Sequence, residues 1–165
     1  MELPPAHWGI LERYLRVLDT PEADIRQTTD SMEREARRGP RARLLLTVPS
    51  IGPLTALLFL AEVGDIQRFP EARRLVSYAG LAPVVRASGG KTRLGPISKQ
   101  GSRWLRWVFS EAAARIGRRP GPLGEFYRWV RQRHGSQTAN TALARKLLVI
   151  AYPVLKSGRP DEERG

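Results

Sequence analysis

The chain has 165 residues, enough for one domain with a buried core. Lys and Arg number 28 against 16 Asp and Glu, a formal charge of +12, which favours a polyanionic partner: nucleic acid first, an anionic membrane surface as the alternative. The absence of cysteine excludes disulfides and thiolate metal sites, and the two histidines, far apart in sequence, argue against a zinc site or a histidine-based triad. No signal peptide or long lipid-facing helix is recognisable, so we expect a cytoplasmic, nucleoid-associated protein without membrane contact.

Residues 1–40 are expected to form a helical arm. Leu11, Leu18, Ile25 and Met32 lie seven residues apart, the spacing of a coiled-coil seam. Pro21 predicts a break or a helix restart, because proline removes a backbone donor and crowds the preceding turn. Two interpretations stay open: a broken coiled coil or helical hairpin that joins copies of the chain into a homo-oligomer, or an amphipathic helix packed on its own domain.

Residues 41–158 are typical of a compact, mainly α-helical domain, and residues 159–165 are expected to be a frayed tail. Prolines at first helical positions and glycines at C-terminal ends mark the helices up to Gly80. Helix 53–63 is apolar nearly all round and is expected to be the central core helix. The residues expected to face the core are Leu54, Leu57, Leu58, Ala61, Ala72, Leu75, Val76, Ala79, Leu105, Val108, Phe109, Ala112, Ile116, Leu123, Phe126, Tyr127, Val130, Leu143, Leu147, Ile150, Ala151 and Val154.

Two breaks in the helical pattern carry further expectations. Residues 81–96 have no helical period, and we expect a loop there, with short strands at Val84 and Val85 as an option. Pro153 is expected to bend the final turn of the last helix.

The stretch "LTVPSIGPLTA", from Leu46 to Ala56, resembles a helix-hairpin-helix module, which binds DNA without sequence preference. Gly52 lets the backbone approach a phosphate, and the helix that follows offers free N–H groups and the positive end of its dipole. Ser50 stands where the usual pattern has glycine. A plain turn between two helices fits the same residues, and both interpretations stay open.

The stretch "VVRASGGKTRLGPISKQGSRWLR", from Val84 to Arg106, places Ser88 directly before two glycines and among basic residues. A serine attacks phosphorus only if its proton is removed and the developing charge is stabilised. The cations can supply the second requirement, but no histidine or carboxylate within the stretch supplies the first. From the residues alone, a turn role for Ser88 is the commoner interpretation and a nucleophile the alternative.

The later helices carry a basic face with aromatic residues. Tryptophans interleaved with arginines can stack on exposed bases and neutralise phosphates. We expect the arginines to contact phosphates and the tryptophans to be mostly packed in the core. The residues concerned are Arg103, Trp104, Arg106, Trp107, Arg115, Arg118, Arg119, Arg128, Arg131, Arg133, Arg145 and Lys146.

Together, the stretches 47–113 ("TVPSIGPLTALLFLAEVGDIQRFPEARRLVSYAGLAPVVRASGGKTRLGPISKQGSRWLRWVFSEAA") and 122–158 resemble a known domain. It is the C-terminal domain of the DEDD-type insertion-sequence transposases, the bridge-RNA-guided recombinases. The resemblance covers roughly Leu44 to Gly158 in the same order and spacing. The preceding arm resembles the coiled-coil linker that joins this domain to a RuvC-like nuclease domain in that family.

The resemblance implies that the chain takes part in DNA transposition, with DNA and a guide RNA as partners. Ser88 matches the serine that the family uses as nucleophile, and Ala87 stands where many relatives have another serine. Magnesium is implied only through the acidic RuvC-like domain, which is not recognisable here, so no metal ligand or cofactor is expected in this chain. The alternative is a non-catalytic nucleic-acid-binding or oligomerisation module.

The nucleic-acid contacts are expected from the helix-hairpin-helix-like turn, the Ser-Gly-Gly loop and the basic helices. They are Gly52, Arg86, Gly89, Gly90, Lys91, Arg93, Lys99, Arg103, Arg106, Arg145 and Lys146.

Overall fold

The computed structural model describes the backbone of residues 5–88 and 91–161, and the side chains of residues 13, 21–84, 95 and 97–161. The elements are α1 (Pro5–Arg38), α2 (Pro40–Leu46), α3 (Pro53–Val63), a 3-10 turn (Ile66–Arg68), α4 (Ala72–Tyr78), β1 (Pro83–Ser88), β2 (Lys91–Ile97), α5 (Arg103–Ile116) and α6 (Pro122–Ser157). The mainly helical class is confirmed. None of the helices in the described part of the chain combines the length and apolar character that a membrane crossing requires.

The arm is one helix, α1, which runs through Pro21 without a break. The predicted interruption is therefore wrong, and the arm is not a hairpin. Residues 21–31 are all exposed, so water can hydrate the carbonyl group that proline leaves without a donor. Ala36 is fully buried in the core, whereas Ile25 is 64% exposed. Among the α1 side chains that the structure describes, the fully buried one, Ala36, lies near the C-terminal end, and α1 contacts α2 and α3.

Helix α3 lies in the core, as expected, but it buries a different face from the predicted one. Thr55, Ala56 and Phe59 are buried, while Leu54 is 41% exposed. An apolar helix gives no periodic signal for one face, so packing of the largest side chain decides the orientation. The Phe59 ring meets the Phe109 ring of α5 edge to face, with centroids 5.5 Å apart.

Helices α4, α5 and α6 complete the core with most of the apolar residues predicted for them. The predicted residues that are buried here are Leu75, Val76, Ala79, Leu105, Val108, Phe109, Ala112, Val130, Leu143, Leu147, Ala151 and Val154. The last two predicted helices meet at a kink at Gly135, where φ is 80° and ψ is 168°, and α6 names the two together. Pro153 lies inside α6.

Residues 83–88 and 91–97 form two antiparallel strands, so the predicted loop is wrong over most of its length. Strands β1 and β2 pair Arg86 with Arg93 and Ser88 with Lys91. β-branched residues favour strands, and within this stretch only Val84 and Val85 stand together to give that signal clearly. The intervening Gly89 and Gly90 lie outside the described residues.

The chain after α6 follows the domain surface for a short distance. The backbone N–H of Arg159 donates to Ser157 Oγ at 3.3 Å, and that of Asp161 donates to Thr47 Oγ1 at 3.0 Å. The start of the expected frayed tail is therefore held by hydrogen bonds, and Asp161 connects it to Thr47 in the turn between α2 and α3. Residues 162–165 lie outside the described part.

Candidate nucleic-acid interface

The hairpin projects from a junction between α4 and α5 that backbone hydrogen bonds hold together. The N–H of Ser98 donates to the carbonyl of Ala82 at 2.9 Å, and that of Ser102 donates to the carbonyl of Tyr78 at 2.8 Å. Gly101 has φ 127°, and a Cβ atom there would collide with the Tyr78 carbonyl oxygen. Only glycine fits this close approach without strain. The base of the hairpin is therefore fixed relative to the helical core.

Arg106 belongs to this junction. Its Nη1 donates to the carbonyl of Ala79 at 3.3 Å and to that of Lys99 at 3.2 Å. The sequence pattern predicts Arg106 only as a nucleic-acid contact and gives no sign of this structural role, because the two acceptors lie on segments separated by the hairpin. Its contact with a phosphate stays a prediction. Lys99, with φ 55°, is exposed beside it.

A second cluster that sequence reasoning missed joins the junction to α3. Ser102 Oγ donates to Glu62 Oε2 at 2.6 Å and accepts from the N–H of Leu105 at 3.1 Å. Tyr78 Oη donates to the carbonyl of Glu62 at 3.2 Å. Ser102 is therefore the N-cap of α5. A serine three residues before Leu105 was a recognisable capping signal, but its pairing with Glu62 depends on tertiary packing.

Ser88 is the last residue of β1, and the register places it opposite Lys91. Arg86 lies two residues earlier, opposite Arg93. The hairpin thus brings four of the predicted positions together along the backbone. Their side chains, like Gly89 and Gly90, lie outside the described residues, so the role of Ser88 stays a prediction.

The predicted helix-hairpin-helix turn lies between α2 and α3. Ser50 has φ 67°, the left-handed conformation that the usual pattern assigns to glycine, and its Oγ donates to the carbonyl of Ala112 in α5 at 2.8 Å. Gly52 is the N-cap of α3, in an extended conformation without a side-chain cap. No atom lies within 4 Å of a Cβ built on Gly52, so the space beside it is open. A phosphate contact at Gly52 stays a prediction.

Helix α5 exposes its tryptophans. Trp104 and Trp107 are 47% and 46% exposed, and Trp129 of α6 is 52% exposed. The expectation that Trp104 and Trp107 are mostly packed is wrong, because other apolar residues of α5 fill the core. The Arg103 guanidinium lies 4.8 Å from the centre of the Trp104 ring, which meets the Trp107 ring edge to face at 6.3 Å.

The end of α5 and the first half of α6 form an open groove of about 470 Å³. It is lined by Gly117, Arg118, Tyr127, Arg128, Arg131 and Ser136. No carboxylate belongs to this lining. Three of these lining residues, Arg118, Arg128 and Arg131, are exposed arginines, and Arg128 Nη1 donates to the carbonyl of Arg119 at 3.4 Å. Guanidinium groups are good donors to phosphate oxygens.

The positive charge of α5 and α6 is not balanced locally. The ion pairs formed by described side chains join Glu22 to Arg26 and Glu71 to Arg73 and Arg74, so none lies on these two helices. Arg103, Arg145 and Lys146, predicted to contact nucleic acid, are exposed. The ion pairs of the described side chains therefore leave the positive charge of these two helices without an offset.

The part of the chain that the structure describes contains no cluster of side chains able to bind a metal ion. No three His, Asp or Glu side chains there are grouped so that they could hold an ion. The magnesium implied by the family resemblance finds no ligands among these residues.

Comparison with known proteins identifies relatives over most of the chain. The model of the IS116/IS110/IS902 transposase family matches residues 42–128. An uncharacterized 44.8 kDa protein of insertion element IS116 from Streptomyces clavuligerus is 33% identical over 139 residues, covering 82% of this chain and 34% of that protein. The transposase of insertion element IS1328 from Yersinia enterocolitica is 33% identical over 165 residues, covering 95% and 48%. A pilin gene-inverting protein of Moraxella bovis is 35% identical over 127 residues, covering 75% and 39%.

The chain spans about a third to a half of the length of these relatives. The family match runs from α2 through the β-hairpin and α5 into α6, so it includes Ser88 and the groove arginines up to Arg128. The family match covers residues 42–128, and the similarity to relatives such as the IS1328 transposase extends over most of the chain. The chain therefore belongs to the IS116/IS110/IS902 family of transposases.

Proposed function

We propose that this chain is the DNA-contacting part of a transposase and that Ser88 attacks a DNA phosphate during recombination. The observation that supports the proposal best is the register of the hairpin. It brings Ser88 opposite Lys91, next to a pair of opposed arginines, Arg86 and Arg93. A hydroxyl among cations at the end of a projecting strand suits attack on a backbone phosphate.

The opposed arginines support an anionic ligand for an independent reason. Like charges directly opposite each other on an antiparallel pair are unfavourable. The hairpin places Arg86 opposite Arg93 in register, and a DNA phosphate near both would offset their repulsion. The rigid junction at the hairpin base, with Gly101 against Tyr78, would hold the two strands in place for this contact.

The chemistry is a phosphoryl transfer. The Ser88 oxygen forms a bond to phosphorus, the bond from phosphorus to the leaving strand oxygen breaks, and the serine proton passes to a base. The hairpin segment from Val84 to Arg106 contains no histidine, aspartate or glutamate. The base is therefore expected from outside this segment.

Binding to DNA would use more than the hairpin. The groove with Arg118, Arg128 and Arg131 and the open N-terminus of α3 at Gly52 offer additional phosphate contacts. DNA and a guide RNA are the proposed polyanionic partners, since both present the same backbone phosphates. The groove and the hairpin both lie within or next to the segment that the family match covers.

Covalent capture tests the nucleophile. DNA with a sulfur atom bridging the scissile phosphate is mixed with the chain and with the remaining part of an IS110-family transposase. Attack then releases a thiolate, which does not reverse the reaction, so a protein–DNA adduct should accumulate. We expect no adduct with Ser88→Ala and normal adduct with the matched control Ser98→Ala, a serine just after β2. Equal adduct in the Ser88→Ala protein would refute the role.

A second candidate function, homo-oligomerisation through α1, is favoured by one observation. Ile25 is 64% exposed, within a stretch of α1 from residue 21 to residue 31 that is exposed throughout. Leu11 and Leu18 fall on the same seven-residue spacing. The two functions are compatible, because the arm and the hairpin are separate elements of the chain.

A further inference from the structure

Two aromatic side chains of α5 are partly exposed to solvent. We call Arg103, Trp104 and Trp107 the tryptophan face. The core side of α5 is formed by Leu105, Val108 and Phe109, all buried. Both indoles of the tryptophan face are close to half exposed. Neither makes a hydrogen bond that ties it to another element in the described part of the chain.

Two large aromatic side chains held side by side in water indicate an interaction site. The ring of Trp107 meets that of Trp104 edge to face, with the centroids 6.3 Å apart. This geometry sets the two ring planes at 79°, so the flat surfaces of the two rings face different directions. A flat ligand can therefore lie against one indole while its neighbour closes the side.

Charge decides between an apolar protein partner and a nucleotide. The Arg103 guanidinium lies over Trp104 at 4.8 Å, and an apolar partner covering this site would remove that charge from water at a cost. A nucleotide instead places its base on an indole and its phosphate near a guanidinium. Paired bases are already stacked inside the duplex, so only unpaired bases can reach the indoles.

We propose that the tryptophan face binds unpaired bases of single-stranded DNA, with a base stacked on Trp104 or Trp107 and the adjacent phosphate near Arg103. The proposal rests on the proposed function, since strand exchange is the event that exposes unpaired DNA bases. The site is separate from the hairpin: it lies on α5, after the junction that fixes the hairpin base.

Binding to oligonucleotides with and without bases tests the proposal on the 165-residue chain. The probes are a short oligothymidine and an abasic oligomer with the same number of phosphates. We expect the oligothymidine to bind about tenfold more tightly, which corresponds to stacking of one base. It should also quench the tryptophan fluorescence, and the abasic oligomer should not. Equal affinity for the two probes would overturn the proposal.

Two double substitutions show whether the site needs aromatic rings or only apolar side chains. Trp104→Phe with Trp107→Phe keeps aromatic rings, whereas Trp104→Leu with Trp107→Leu keeps apolar side chains only. We expect the phenylalanine pair to retain most of the preference for oligothymidine and the leucine pair to lose it. Trp129→Leu, an equally exposed tryptophan on α6, is the matched control and should keep the preference. Loss of the preference in Trp129→Leu alone would contradict the assignment to α5.

The remaining outcomes distinguish this proposal from the proposed function. If neither oligomer nor duplex DNA binds in a salt-dependent manner, the proposed function fails and this proposal fails with it. If duplex and abasic DNA bind but bases add nothing, only the tryptophan face is refuted. About tenfold tighter binding of RNA with the same sequence would overturn the assignment to DNA. A dimer that disappears in the leucine pair, measured by sedimentation, would assign the face to a second copy instead.

Discussion

Two residues hold unusual backbone conformations because their neighbours leave no alternative. Gly101 has φ 127° where the chain passes against the Tyr78 carbonyl. Ser50 has φ 67°, and a hydrogen bond to the carbonyl of Ala112 keeps it there. Both positions join distant elements: Gly101 connects the hairpin to α5, and Ser50 connects the α2–α3 turn to α5. At this scale the sequence indicates which residues can adopt such conformations, while the partner atoms come from tertiary packing.

Gly101→Ala is expected to destabilise the protein by at least about 2 kcal/mol, through positive φ and the collision with the Tyr78 carbonyl. Gly52→Ala is the matched control, since φ is −93° there and nothing lies within 4 Å of the new Cβ. We expect that control to change stability by less than about 0.5 kcal/mol. Chemical denaturation of both variants measures the difference. Equal stabilities would show that the junction is not a close contact.

Ser50 allows the backbone and the hydrogen-bond contributions to be separated. Ser50→Ala removes the donor to Ala112 and keeps the left-handed strain, so we expect a loss of about 1–2 kcal/mol. Ser50→Gly also removes the donor but relieves the strain, so it should cost about 1 kcal/mol less. Thermal unfolding of both variants checks the order. If the Ser50→Ala protein were more stable than the Ser50→Gly protein, the left-handed conformation of residue 50 would be contradicted.

At the scale of elements, amphipathic helices were predictable and the hairpin and the buried face of α3 were not. In α5, Leu105, Val108 and Phe109 recur at helical spacing and are buried as predicted. In α3 the apolar residues surround the helix, so the pattern could not show that Thr55 and Phe59 face inwards. Glycine and proline around Val84 and Gly95 masked the alternation typical of strands.

The arm α1 carries a prediction about assembly. Changing Leu11, Leu18 and Ile25 together to glutamine should convert a dimer or larger assembly into a monomer, because the seven-residue seam then has polar side chains at three of its positions. Sedimentation velocity measures the change. The helical content should be unaffected, since Ile25 is 64% exposed within the single chain. An assembly that persists in the triple variant would exclude the arm as its interface.

At the scale of the whole molecule, the net charge of +12 predicted a polyanionic partner, and the fold gathers part of that charge in one groove. Composition indicates the class of partner because charge adds over the chain. It could not indicate that Arg118, Arg128 and Arg131 meet, since the groove depends on how α5 and α6 pack. The family resemblance of the sequence is confirmed at the level of the transposase family. The serine nucleophile stays a prediction.

The groove arginines should dominate the salt dependence of DNA binding. Replacing Arg118, Arg128 and Arg131 with glutamine should lower the slope of log affinity against log salt by about 2–3, since each phosphate that a cation neutralises adds about 0.9 to that slope. The matched control removes the same charge from arginines that are ion-paired elsewhere, namely Arg26, Arg73 and Arg74. Titrations over a range of salt concentrations measure both slopes. Equal slopes for the two variants would show that the groove is not the binding surface.

The central claim is that the oxygen of one serine becomes bonded to DNA. Mass spectrometry of the digested protein–DNA adduct locates the attachment, with the sulfur-bridged DNA as substrate. We expect a nucleotide phosphate on the peptide that contains Ser88, and on no peptide that contains only Ser98 or Ser102. Attachment of the nucleotide to a residue other than Ser88, or an adduct in which the Ser88 peptide is unmodified, would contradict the account.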